Sequence, residues 1–112
     1  MKEFRELNIW RWAMDFAEQI YILASENPIF DSQVIRSAAS VAANIAEAIG
    51  IQTEGRKLYH FKMARGSLAE SITLLELMYR LKMIGEEAFN PLFQLGNNIY
   101  ENLSVVMKKT PK

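Results

Sequence analysis

In four stretches of this chain, apolar residues recur every three or four positions, and signals for strands are few. That period is the signature of amphipathic helices. The first helix is expected over about 9–25, where Trp10, Ala13, Phe16, Ala17, Ile20 and Ala24 share the spacing. Asn8 is its expected N-cap, with Leu7 stapled onto Trp12, and Asn27-Pro28 ends it. The second is expected over about 32–49, with Asp31 as cap, Phe30 stapled onto Ile35 and Gly50 as the stop. The third is long, about 54–83, with Thr53 as cap and Gly85 as stop. The fourth spans about 86–108, and its acidic start and basic end suit the helix dipole. Pro91 is tolerable only in a first turn, so this helix alternatively begins at Asn90. Its core stripe is Leu92, Leu95, Ile99, Leu103 and Val106. Short connections between such helices predict one all-α domain over residues 1–112, an antiparallel up-down-up-down four-helix bundle. An open three-helix arrangement with a docked fourth is the alternative.

A chain of 112 residues buries roughly 65% of its unfolded surface and can be held by one core. It has no cysteine, which excludes disulfides and thiolate metal sites. The opening MKEFRELNIW mixes both charge signs and has no apolar segment of the signal-peptide kind. No apolar run reaches the roughly 18 residues of a membrane span. A cytoplasmic protein is therefore expected. Thirteen Lys and Arg balance thirteen Asp and Glu, which argues against a dedicated nucleic-acid binder. The balance is uneven along the chain. Residues 1–31 hold three basic and six acidic groups, and residues 51–67 four basic and one acidic.

Two helices carry more than one face that asks for cover. On the second, Val34, Ala38, Val41, Ile45 and Ile49 form the core stripe, and Ala39, Ala43 and Ala46 form another of small residues. A third face, Gln33, Arg36, Ser40, Asn44 and Glu47, is poor in the Lys and Glu of a solvated surface. On the third helix, Phe61, Ala64, Leu68, Ile72, Leu75 and Tyr79 form one stripe. Tyr59, Met63, Leu74, Leu77 and Leu81 form a second, roughly 150° around the wheel. Glu70 falls within that second stripe, beside Gly66 and Ser67. A carboxylate there is expected to be buried and paired, with Arg36 its nearest candidate cation. Arg36, Ser40, Asn44, Glu47, Gly66, Ser67 and Glu70 thus make a predicted buried polar cluster at an interface between subunits. The plainer reading is a polar surface on an alanine-rich helix.

Nothing assembles a catalytic or metal site. His60 is the one histidine, and no Glu-x-x-His occurs, so a di-iron bundle centre is excluded. Glu47 and Glu70 have no nucleophile or phosphate-cradling loop beside them. No cofactor or metal is expected, and the chain reads as a non-enzyme. Arg56, Lys57, Lys62 and Arg65 are the candidate nucleic-acid contacts; on the wheel they scatter, and solvated side chains flanking a helix start are the preferred account of them.

Arg36-Ser37-Ala38, Ser40-Val41 and Asn44-Ile45-Ala46-Glu47, followed by Ala64-Arg65-Gly66-Ser67-Leu68-Ala69-Glu70, resemble the two signature segments of the 23S rRNA intervening-sequence protein family. Phe4, Leu7, Ile9, Trp10 and Ala13 match its opening. One departure is Ala48, where the family usually has glycine, and the passage from Ala48 to Glu54 is not its glycine-arginine turn. The resemblance implies a four-helix bundle assembled as a ring, a homo-oligomer of the pentamer type, with no known catalytic activity. A related accessory protein of diversity-generating retroelements is thought to bind nucleic acid and a protein partner. The expected function is accordingly an oligomeric scaffold or interaction module, with a nucleic-acid-binding oligomer as the alternative.

Overall fold

A computed structural model describes residues 7–27, 31–50 and 53–112. They form four helices: α1 (Asn8–Ser25), α2 (Asp31–Gly50), α3 (Glu54–Arg80) and α4 (Glu86–Lys109). The contacts run α1–α2, α2–α3, α3–α4 and α4–α1, closing a square; α4 touches both α1 and α3, so the open three-helix alternative does not apply. Paired residues give the directions. As the number climbs on α3 from His60 through Ser67 to Ser71, its partner on α2 falls from Asn44 through Ser40 to Ser37. Arg65 meets Ser104 of α4, while Tyr79 meets Phe89. The body measures 43 × 20 × 20 Å. Its length is set by α3, whose 27 residues rise about 40 Å.

The core is the convergence of the four period-matched stripes. Phe16 and Ile20 of α1, Val34, Val41 and Ile45 of α2, Leu68, Leu75 and Met78 of α3, and Ile99 and Leu103 of α4 are almost wholly withdrawn from solvent. Gly96 sets the approach of α4. A Cβ there would sit 3.0 Å from two carbons of Ile72 and 3.3 Å from Phe16. Phe89 lies between the rings of Tyr79 and Phe93, with centroids 4.3 and 5.2 Å away.

Several ends differ from the sequence expectation. Asn8 is the first helical residue of α1, not its cap; Leu7 caps with extended backbone and no side-chain bond. The half-buried Leu7 packs on the core, so apolar burial takes the place of a polar cap. α2 already includes Asp31, and the Phe30 staple lies outside the described residues. Thr53 caps α3 with its carbonyl, accepting from the Lys57 amide at 3.0 Å, and not with its hydroxyl.

α3 stops at Arg80, five residues before the glycine expected to end it. Lys82 takes the left-handed conformation, φ 61°, the one described non-glycine residue that does so. The Lys82 amide donates to the Tyr79 carbonyl (3.0 Å) and the Met83 amide to the Met78 carbonyl (2.9 Å). These are the two bonds of a Schellman ending, with lysine where glycine is usual. Gly85, at φ −93° and ψ 176°, is instead the N-cap of α4. α4 starts at Glu86, not Asn90, and runs through Pro91. The proline ring costs the helix one backbone bond, and its exposed position lets the neighbouring carbonyl turn to water.

Candidate functional site

The seam between α2 and α3 is where most of the sequence-marked residues meet. Small side chains on both helices allow close approach, and the polar groups among them must then satisfy one another. The Asn44 amide nitrogen donates to the Ser40 carbonyl (2.9 Å) and to the Ser40 Oγ (3.0 Å), which fixes its carbonyl oxygen toward His60 Nδ1 at 3.0 Å. Nδ1 therefore carries the hydrogen. His60 Nε2 is buried with no partner among the described residues. Ser67 donates to the Ser40 Oγ at 2.9 Å, so that oxygen accepts twice. Deeper in, the Ser71 hydroxyl lies 2.9 Å from both the Ser37 Oγ and the Ser67 carbonyl, and Ser37 donates to the Val34 carbonyl. Ser71 is fully buried and Ser37 nearly so.

The predicted cluster divides in two. Ser40, Asn44 and Ser67 are half-buried members of this seam. Arg36, Glu47, Gly66 and Glu70 are exposed on the single chain. The expected burial of Glu70 and its pairing with Arg36 are thus corrected for the subunit. Both residues border an open cleft of about 390 Å³ floored by Ser37, Ser40 and Ser67, and no ion pair joins them among the described residues. The reason is the way α3 turns. It packs through the stripe of Phe61, Ala64, Leu68 and Leu75, and its second stripe faces outward except for Leu74, which is half-buried against the core. Tyr59, Met63, Leu77 and Leu81 are 50%, 45%, 40% and 57% exposed. Gly66 lies on that outer side, and a Cβ added there would meet nothing within 4 Å. A glycine in mid-helix costs about 1 kcal/mol against alanine, and no contact inside the subunit requires it.

Sequence reasoning missed Ser37 and Ser71, and it weighed His60 as a metal ligand, not as a member of the seam. The signal was present. Ser37, Ser40 and Asn44 follow one another at helical neighbour spacing, as do Ser67 and Ser71, with His60 seven residues before Ser67.

The four basic candidates separate. The Arg56 guanidinium lies over the Tyr59 ring and that of Arg65 over Tyr100, each 5.7 Å from the centroid. Arg65 also donates to the Ser104 Oγ at 3.4 Å. Lys62 is exposed and Lys57 half-buried near Lys109. Among the described residues no group of three or more His, Cys, Asp or Glu is placed to hold a metal ion, and no helix is long and apolar enough to cross a membrane.

The profile described as "23S rRNA-intervening sequence protein" matches residues 5–105. A crystal structure of a protein with unknown function from the S23 ribosomal protein family of Bacteroides thetaiotaomicron VPI-5482 superposes with a TM-score of 0.83 at 24% identity, covering 89% of this chain and 98% of that one. At that identity the likeness is one of fold. No curated protein matches the chain.

Proposed function

The chain belongs to the 23S rRNA-intervening sequence protein family, and from the outer face of α3 we propose that it is a non-enzymatic, self-assembling helical scaffold of the cytoplasm. Each subunit is an up-down-up-down bundle, and the assembly is a closed homo-oligomer, a pentamer by the resemblance noted in the sequence. The observation that carries this reading is the unpartnered stripe of Met63, Leu77 and Leu81, each at least 40% exposed, running along a helix that already buries a full stripe within its own subunit. Apolar side chains exposed along one helix face, here on either side of Glu70, mark association sites. Gly66 supports it, because a backbone left bare in open space suits the close approach of a neighbour's helix. Arg36, Glu47 and Glu70 border the same side with no partner among the described residues, and together with Ser40, Asn44 and Ser67 they are the polar residues proposed for the contact.

Light scattering at micromolar concentration tests it. The expected mass is several times the 12.9 kDa of one chain. Gly66→Leu is expected to give folded subunits, since the space is empty and leucine favours helix, while shifting the mass toward the monomer. A wild-type monomer at that concentration refutes the assembly. An unchanged mass for Gly66→Leu removes α3's outer face from the contact.

A further inference from the structure

The neutral net charge conceals a segregation. Residues 55–69 of α3 hold four Lys or Arg and no Asp or Glu, and residues 102–112 at the end of α4 hold three more and again no carboxylate. The fold brings these two segments together: Arg65 bonds Ser104, and Lys57 and Phe61 border one pocket with Val106 and Lys109. The flanking carboxylates in sequence are Glu54, Glu70 and Glu101. Several other acidic groups lie toward the opposite end, on the last turns of α3 (Glu76), the first turn of α4 (Glu86, Glu87) and the end of α1 with its C-cap (Glu18, Glu26). A molecule without net charge therefore presents one cationic end, and such a surface concentrates anions.

The groove between α3 and α4 at that end adds aromatic faces. Lys62 and Arg65 stand three residues apart on one wall; Tyr100, Ser104 and Lys108 follow at four-residue intervals on the other. Tyr100 is 39% exposed and carries the Arg65 guanidinium on its ring. A second Arg–Tyr pair, Arg56 on the half-exposed Tyr59, lies roughly 9 Å further along the axis toward the same end but about 120° around α3, on its outer face and outside the groove. Cations held beside accessible tyrosine rings provide both elements of single-strand recognition: charge for the phosphates and a surface on which bases stack.

We infer that the α3–α4 groove at the cationic end binds single-stranded nucleic acid without strong sequence preference, through Lys62, Arg65, Tyr100 and Lys108. Duplexes fit less well, because their base faces are closed to the tyrosines. Arg65 lies about 120° or more around α3 from the Met63 and Leu77 stripe, and Lys62 about 60–100° from it, so the Arg65 and α4 side of the contact stays clear of that stripe.

Fluorescence anisotropy with labelled oligothymidylate, measured on the full chain, tests the inference. Three phosphate contacts, one each for Lys62, Arg65 and Lys108, give a log–log salt slope near about −2.1, so affinity should fall about 20-fold between roughly 50 and 200 mM salt. Tyr100→Ala should weaken binding about tenfold and leave the slope nearly unchanged, and Tyr100→Phe should retain it. Lys62→Ala/Lys108→Ala should flatten the slope by about 1.4. Arg80→Ala/Lys82→Ala, at the other end, should change neither. All these side chains are exposed or at helix ends, and circular dichroism checks each variant's fold. Three results would overturn the inference: a Kd weaker than about 10⁻⁴ M at low salt, a duplex bound as tightly as the single strand with Tyr100→Ala silent, or binding to anionic vesicles alone.

Discussion

Replacing Asn44 with alanine tests the polar seam. The side chain makes three hydrogen bonds, two as donor to Ser40 and one as acceptor from His60 Nδ1. The losses are unequal. The Ser40 Oγ still accepts from Ser67, so it is not orphaned. His60 is, because its Nε2 is already buried without a partner among the described residues, and the variant leaves both ring nitrogens unpaired there. A buried polar group without a partner costs about 1–3 kcal/mol, and alanine in place of asparagine returns about 0.5 kcal/mol of helix propensity. Asn44→Ala should therefore lose roughly 0.5–2.5 kcal/mol, or about 2–10 °C in Tm for a domain of this size. His60→Leu removes the orphaned nitrogen together with its ring, and it should cost about 1 kcal/mol or less by leaving only the Asn44 carbonyl unpaired. The double variant should fall short of the sum by about 1 kcal/mol, the coupling of the bond itself. The assay is urea unfolding followed by circular dichroism, at one fixed protein concentration so that self-association does not move the baseline. Glu76→Ala, which breaks only the surface pair with Arg80 at 2.8 Å, is the control and should lose less than about 0.5 kcal/mol. Additive effects at Asn44 and His60, or a cost for Asn44→Ala no larger than the control's, would refute the reasoning.

Three further outcomes are expected. Lys82→Gly should stabilise the chain by about 1 kcal/mol, because Lys82 holds φ 61° and glycine carries no Cβ penalty there; thermal melts decide it. Gly96→Val should destabilise by about 1–3 kcal/mol, since even its Cβ lies 3.0 Å from Ile72, and Gly96→Val/Ile72→Ala should regain part of the loss in the same melts. The Tyr79 hydroxyl titrates above the ordinary tyrosine range, through desolvation first and then the Glu86 carboxylate that accepts its hydrogen bond at 3.3 Å. The protonated form is favoured in the fold, so its contribution is complete below the ordinary tyrosine range and is lost as pH rises through the raised value. Ultraviolet titration should find one late tyrosine that moves earlier in Glu86→Gln.

What could be read from the sequence followed from periodicity. Val34, Ala38, Val41 and Ile45 recur at a spacing that only a helix places on one side, and all four are buried. The two stripes of α3 were equally visible, but periodicity cannot say which neighbour covers which stripe; that depends on the helices flanking α3, and in the subunit they leave Met63, Leu77 and Leu81 outside. The end of α3 was illegible for a different reason. A left-handed residue is anticipated from glycine, and here the chain uses Lys82 while Gly85 does other work. Pro91 misled in the opposite sense, because a helix anchored by Phe89 and Leu92 continues through one missing bond. Ser37 and Ser71 escaped notice because serine is neutral on hydropathy; its burial becomes intelligible only once a second serine stands 2.9 Å away.

The paired hydroxyls and amides of the seam have a consequence for the states the chain does not occupy. α2 holds six alanines, and one alanine packs much like the next. An apolar contact built from them would tolerate sliding by one helical turn, about 5.4 Å, with little penalty. Such a slip would carry Asn44 away from His60, Ser40 from Ser67 and Ser37 from Ser71 at once, leaving up to three pairs unmet at about 1–3 kcal/mol each. The seam thus works as a vernier. It adds little to the depth of the native well but raises the neighbouring wells, so a helix too uniform to find its own place is held at one setting.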